Sequence, residues 1–198
     1  MIMNSYKHAK LNILDSSNKE YIKELSELFI ITNPNALISI FGKRFVIDFV
    51  SNFYKSNDRN IFFYVYKNEV IGYVFFLNNI NTIRNLDLNY FKIFFKLLSK
   101  PKIISNLLKN RNKNKLRNNF NNKTGYLMYL GIKKDFQGLG HGYDLVNSFI
   151  KFVPKNVEKI ITDTKSKMVE KFFHKCKFKT IYSKNDSFYL LKFNLMKE

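Results

Sequence analysis

Apolar residues along this chain recur at two spacings, and the changes between them mark out its elements. A short apolar run over 9–14 reads as a strand. Over 15–32, Tyr21, Ile22, Leu25, Leu28 and Phe29 fall at helical spacing, with Asp15, Ser16 and Ser17 as candidate caps and Asn33–Pro34 as the stop. A second helix fits 43–56, where Phe45, Val46, Phe49, Val50 and Phe53 share a face. Residues 60–79 are almost unbroken Phe, Tyr and Val around Lys67–Asn68–Glu69, which predicts a hairpin of two central strands. Gly72 inside it predicts a bulge or a close backbone approach. Two helices broken at Pro101 fit 86–112, and a strand fits 124–132. A helix then runs from about Gly142 to Pro154 with Leu145, Val146, Phe149, Phe152 and Val153 on one face. A strand over 158–164, a short helix over 166–175 and a hairpin turning at Lys184–Asn185–Asp186 complete the chain. Strands and helices interleave as βααββ(αα)βαβαββ, an α/β (α+β) mixed sheet with a helical insertion before the fourth strand.

Composition narrows the class. The 198 residues, 45% hydrophobic and 17% aromatic, fit one domain spanning 1–198 with a real core and an insertion at about 84–122. A single cysteine, Cys176, fits a reducing compartment, and the N-terminal residues lack the apolar core of a secretion signal. No run of about 18 apolar residues is present to span a bilayer. Together these predict a cytoplasmic protein. The formal net charge of +19 admits an anionic partner, but Lys, Asn, Ile and Phe are abundant throughout, and compositional drift accounts for most of it. His8, His141, His174 and Cys176 lack metal-ligand spacing, so no metal is expected.

The densest chemistry lies in IKKDFQGLGHGYDLVNSF, where Gly138, Gly140 and Gly142 join a strand to a helix. The first N–H groups of a helix have no partner within it and carry partial positive charge. Glycines let several of them turn toward one anion. The loop therefore reads as a phosphate site. GxxxxGK[ST] is absent, and Gly142 comes one residue too early for GxGxxG.

What fits is Q-x-x-G-x-G, formed by Gln137, Gly140 and Gly142. It resembles the acyl-CoA motif of the GNAT superfamily of acetyl-CoA-dependent N-acetyltransferases. YKNEVIGYVFF (66–76) is similar to that family's turn and following strand, and EKFFHKCKF (170–178) resembles its C-terminal segment. LISIFGKRFVIDFV and the helical pair resemble a branch tied to surface-polysaccharide pathways. The resemblance implies that backbone amides of Gln137, Gly138, Leu139, Gly140, His141, Gly142 and Tyr143 hold the coenzyme pyrophosphate. It also implies that Leu130, Gly131 and Ile132 pair with the pantetheine arm, one N–H polarising the thioester carbonyl. Acetyl-CoA is then the co-substrate, and the acceptor amine attacks it directly.

Three departures leave the acid and base open. The tyrosine that the family places to protonate the leaving thiolate is Phe173 here, the asparagine seven residues earlier is Ser166, and the glutamate of the central strand is Tyr126. Substitute candidates are Tyr126 and Tyr129, which share a strand face if a bulge lies between them, and Asp163 at a strand end. Asp163 also fits as a cap for the next helix. His141 either touches phosphate or faces solvent. His174 lies about 100° around its helix from Phe173 and reads as an exposed histidine, and Cys176 as a small buried residue.

Residues 89–120 alternate Tyr, Phe, Ile and Leu with a narrow lysine stripe and end in KNRNKNKLRNN. A lid over the acceptor, a homodimer contact and docking on an anionic membrane all remain open for it. The expected function is N-acetyl transfer to a primary amine on a small molecule, such as an amino sugar or sugar nucleotide. A protein or peptide amine and a non-catalytic acyl-CoA-binding module are the alternatives. Nucleic acid is disfavoured as a partner, because no base-stacking module is recognisable.

Overall fold

A computed structural model describes residues 9–85, 120–184 and 188–195. The helical pair at 86–112, nearly all of the 89–120 insertion and the Asn185–Asp186 turn lie outside the described residues. Seven strands form one mixed sheet: β1 (Lys10–Ile13), β2 (Arg59–Tyr66), β3 (Glu69–Leu77), β4 (Thr124–Ile132), β5 (Lys159–Thr164), β6 (Lys179–Lys184) and β7 (Phe188–Asn194). Their order across the sheet is β1-β2-β3-β4-β5-β7-β6, antiparallel everywhere except at β4–β5.

Helices α1 (Tyr21–Thr32), α2 (Leu37–Ile40) and α3 (Lys43–Phe53) precede the β2–β3 hairpin, α4 (His141–Ile150) follows β4, and α5 (Lys167–Lys175) follows β5. The core divides between the two faces of the sheet. On one, Leu25, Phe29, Phe49 and Phe53 of α1 and α3 meet Phe63, Tyr73 and Phe75. On the other, Leu145, Phe149 and Phe173 of α4 and α5 meet Phe62, Phe76 and Leu127. Strands β2 and β3 are covered on both faces, which is why their sequence runs apolar without alternation. Lys67 and Asn68 turn the hairpin with φ of 49° and 64°, the left-handed pair that a two-residue hairpin turn needs.

Two sequence expectations are corrected, and one short helix is added. Asp15 does not cap α1. Its Oδ1 accepts from the Ser17 amide at 2.7 Å and the Ser17 hydroxyl at 2.6 Å, and the helix begins at Tyr21. Helix α4 ends at Ile150 rather than running to Pro154. Proline disfavours helical geometry in the residue before it, so Lys151 and Phe152 bond back three residues, to Ser148 and Phe149. Phe152 is thereby left 55% exposed instead of completing the apolar face. The short α2 carries too few residues for a periodic signal. No described helix is long and apolar enough to cross a membrane.

Candidate functional site

The site begins with a break in the sheet. β4 pairs with β5 only at Thr124↔Lys159, Gly125↔Ile160 and Tyr126↔Ile161. Beyond that point β5 stays with β7 along its whole length and β4 stays with β3, so the two strands part. The burial pattern of β4 records the gap. Residues 124–127 are buried, Met128, Tyr129 and Leu130 are half-buried, and Gly131 and Ile132 are buried again. Half-exposed residues in the middle of the central strand of a seven-stranded sheet mark a slot.

Which atoms face the slot follows from the register. The Lys133 N–H donates to the Ile71 carbonyl at 2.8 Å. Antiparallel alternation then turns the polar groups of Gly131 and Tyr129 toward β3, and those of Leu130 and Ile132 toward the slot. Of the residues expected to pair with a pantetheine arm, Leu130 turns its backbone groups to the slot and Ile132 its N–H, the Ile132 carbonyl being taken by the Gln137 side chain. Gly131 does not, and it has a different reason to be glycine. A Cβ there would lie 2.6 Å from the Tyr73 ring and 2.7 Å from Thr32 Oγ1.

The glycine loop opens at the end of this strand. Phe136 and Gln137 amides bond back to the Lys133 and Lys134 carbonyls, and the first bond within α4 runs from Asp144 N–H to Gly140 O. The amides from Gly138 through Tyr143 lie between these two ladders. Gly138 and Gly140 have φ of 77° and 92°, where side chains are strained, and Gly140 caps α4 in the left-handed conformation. Gly142 is ordinary helix, its Cα facing Phe172 of α5. Gln137 is the correction in this loop. Its own amide is taken by Lys134, and its side chain Nε2 donates to the Ile132 carbonyl at 2.8 Å, tying loop to strand.

His141 does not face solvent. It is 2% exposed, with its ring 5.6 Å from that of Phe136 and 6.5 Å from that of Tyr66. Any contribution it makes to an anion site comes through its backbone at the first helical position.

The three side-chain candidates come together on the α1–α3 face. Register shifts between Phe75↔Tyr129 and Phe76↔Leu127, so Met128 is a bulge residue, and Tyr126 and Tyr129 share a face despite their odd spacing. The buried Tyr126 hydroxyl donates to Asp163 Oδ1 at 2.5 Å, bridging β4 and β5 just beyond their last pair. Tyr129 lies edge-on to Phe29 at 4.8 Å. Asp163 therefore does not cap α5. Ser166 does, its Oγ accepting from the Val169 amide at 3.4 Å.

Phe173, by contrast, is 3% exposed on the opposite face, enclosed by Phe172 at 5.2 Å and Phe178 at 5.1 Å. His174 points away to the Thr180 hydroxyl at 2.8 Å. Burial pushes the Cys176 thiol up to about 12, which leaves it without nucleophilic character.

One cluster escaped the sequence. The Tyr73 hydroxyl, fully buried, is shared with Thr32 Oγ1 at 2.5 Å and accepts from Asn33 Nδ2. This ties the end of α1 to β3 behind Gly131. Burial outweighs both bonds and raises the Tyr73 pKa above the usual tyrosine range. The signal was Thr32–Asn33 at a helix end, but nothing local named its partner forty residues on.

No protein-family model and no curated protein matches the sequence. Solved structures do match the fold. An acetyltransferase of the GNAT family from Desulfovibrio desulfuricans aligns over 94% of this chain and 99% of its own, with a TM-score of 0.57 and 9% identity. A Bacillus subtilis acetyltransferase solved with CoA aligns over 96% and 100%, with a TM-score of 0.54 and 13% identity. An aminoglycoside 6'-acetyltransferase type Ii aligns over 96% and 99%, with a TM-score of 0.60 and 13% identity. From its first described strand to its last, the chain has the fold of the GNAT acetyltransferases.

Proposed function

We propose that this protein transfers an acetyl group from acetyl-CoA to a primary amine by direct attack. The observation that carries the reading is the slot between β4 and β5 opening beside the glycine loop. An extended arm laid along Leu130 and Ile132 has backbone groups to pair with, and amides between Gly138 and Tyr143 would meet a pyrophosphate at its far end. The Bacillus subtilis neighbour of the same fold was solved with CoA, which supports this use of the slot.

Thioester and amine would meet where Tyr126, Tyr129 and Asp163 gather. Asp163, anchored by the Tyr126 hydroxyl, would take the proton that the attacking amine loses. Tyr129 is the second hydroxyl on that face. The tetrahedral oxyanion would be met by a slot-facing amide of β4, and proximity supplies much of the rate, so no covalent enzyme intermediate is needed. The acceptor is a small-molecule amine such as an amino sugar or sugar nucleotide, a class supported by the aminoglycoside acetyltransferase among the fold neighbours.

The sealed Phe173 favours one second reading, a CoA-binding module without turnover. Two measurements separate them. Calorimetric titration with acetyl-CoA should give saturable binding, and the absence of heat at high micromolar ligand overturns both readings. Thiol release across a panel of amino sugars, aminoglycosides and polyamines should exceed the rate without acceptor. Binding without any accelerated release favours the module.

A further inference from the structure

We infer that the acyl site admits only a short chain, and that the Tyr129 ring is the wall that sets the limit; the inference rests on the acyl-CoA reading above. From Ile132 back to Tyr126 the slot runs about 20 Å at ~3.3 Å per residue. It closes where Tyr126 pairs with Ile161. A thioester brought along it cannot continue in the plane of the sheet, so an acyl tail must turn through one face or the other.

On the α4–α5 face the turn is blocked by packed core at the closed end of the slot, the half-buried Leu130 lying nearer its mouth. Leu127 is 2% exposed in a cluster with the fully buried Phe149 and Ile160. On the α1–α3 face the half-buried layer of β4 is Met128 and Tyr129. Met128 has a flexible thioether that can move aside for a methyl group. Tyr129 cannot. Its ring stands edge-to-face on Phe29 at 4.8 Å and 83°, and on Phe75 at 6.1 Å and 89°. Both of those rings are fully buried, and Phe29 is backed in turn by Phe49 at 6.2 Å. An acetyl group needs only the space at the bulge. Each further methylene would have to push aside a ring braced edge-on against two fully buried ones.

The test is calorimetric titration with CoA, acetyl-CoA and hexanoyl-CoA, which needs no acceptor. The wild-type protein and Tyr129→Phe, which keeps the ring and loses the hydroxyl, should bind acetyl-CoA at least about tenfold more tightly than hexanoyl-CoA, the scale set by misfitting methylenes in a closed pocket. Tyr129→Ala should bring the two ligands within about threefold while leaving free CoA unchanged, because the methylenes then have space. Tyr129→Leu, which keeps an apolar contact to Phe29, serves if the alanine variant does not fold. Equal wild-type affinity for the two acyl-CoAs overturns the inference, as does a ratio that survives in Tyr129→Ala or its leucine substitute. Failure to bind CoA at all overturns the acyl-CoA reading instead, so the two failures are distinct.

Discussion

Replacing Gly140 by valine tests the loop at its most constrained atom. Gly140 has φ of +92°, and a Cβ built there meets nothing within 4 Å. The cost is therefore conformational rather than steric. Holding an L-residue in the left-handed region costs about 1–2 kcal/mol, with β-branching at the upper end. The exposed loop has two responses. It can keep its shape and bear about 2 kcal/mol, which in a chain of this size lowers the melting temperature by roughly 4–8 °C. Or it can rotate φ to negative values, sparing stability but turning amides away from the ligand. Losing one or two charge-assisted bonds at about 1.5 kcal/mol each weakens acetyl-CoA roughly 10–100-fold. Thermal unfolding and calorimetric titration of the same sample separate these responses. Gly142→Ala is the internal control. Its φ is not positive, and the new Cβ would meet only the end of the half-buried Phe172 side chain, at 3.3 Å, which calls for a shift of a few tenths of an ångström. Its melting temperature should stay near wild type, helped by about 0.5–1 kcal/mol of helix preference for alanine. Wild-type acetyl-CoA affinity in a Gly140→Val protein whose melting temperature is also unchanged refutes the loop as the phosphate site. Equal melting-temperature losses in both variants refute the distinction between the glycines.

Gly131→Ala should cost about 1–3 kcal/mol in urea denaturation, since its Cβ overlaps a fully buried Tyr73 ring whose hydroxyl is fixed by Thr32 and Asn33; an unchanged midpoint sinks that account. Asp163→Asn, whose side-chain oxygen can still accept from the Tyr126 hydroxyl and keep the β4–β5 bridge, should lower the acetylation rate about 10²–10⁴-fold while acetyl-CoA affinity stays within about twofold, and an unchanged rate removes Asp163 from the chemistry. Burial raises the pKa of both Cys176, to about 12, and Tyr73. The unfolded chain then ionises at these groups before the folded one. Their contribution to stability is complete below pH ~8.5 and lost as pH rises toward the folded values. Denaturation at intervals between pH 8 and 11 should show falling stability, less steep in Cys176→Ala, and a flat profile in the wild-type protein contradicts it.

Much of the fold was legible because covered strands and one-sided helices leave different periods. The β2–β3 hairpin, α3 and α5 follow from apolar spacing alone. The loop was legible because a backbone site constrains sequence only at glycine, and Gly138 and Gly140 do need left-handed φ. Two neighbours of those glycines were not legible. Gln137 braces the strand end with its side chain, and the buried His141 ring packs on Tyr66. Both contacts depend on where a distant or folded-back segment arrives. The parting of β4 from β5 is likewise a property of register, and no residue type announces it. The bulge at Met128 could be posed only as a condition for Tyr126 and Tyr129 to share a face.

Phe173 and the Tyr126–Asp163 pair belong to one argument. A ring with no hydroxyl, enclosed by Phe172 and Phe178, cannot deliver a proton, and a hydroxyl restored at that position would have to displace one of its neighbours or find a way between them. On the proposed reading, proton handling must then come from the opposite face. There the structure gathers two tyrosines and one carboxylate at the closed end of the slot, where a thioester would arrive. The arrangement differs in kind from an acid on a helix. Tyr126 and Asp163 hang from two different strands that are parting, and their hydrogen bond crosses the junction that defines the slot. A change that widens or narrows the β4–β5 opening therefore alters the distance between these groups as well as the fit of the arm. On the proposed reading CoA binding and proton transfer would thus be mechanically joined, and Tyr126→Phe should shift the pH profile of the rate and loosen the arm together. Were the two functions carried by separate elements, the substitution would move one and leave the other in place.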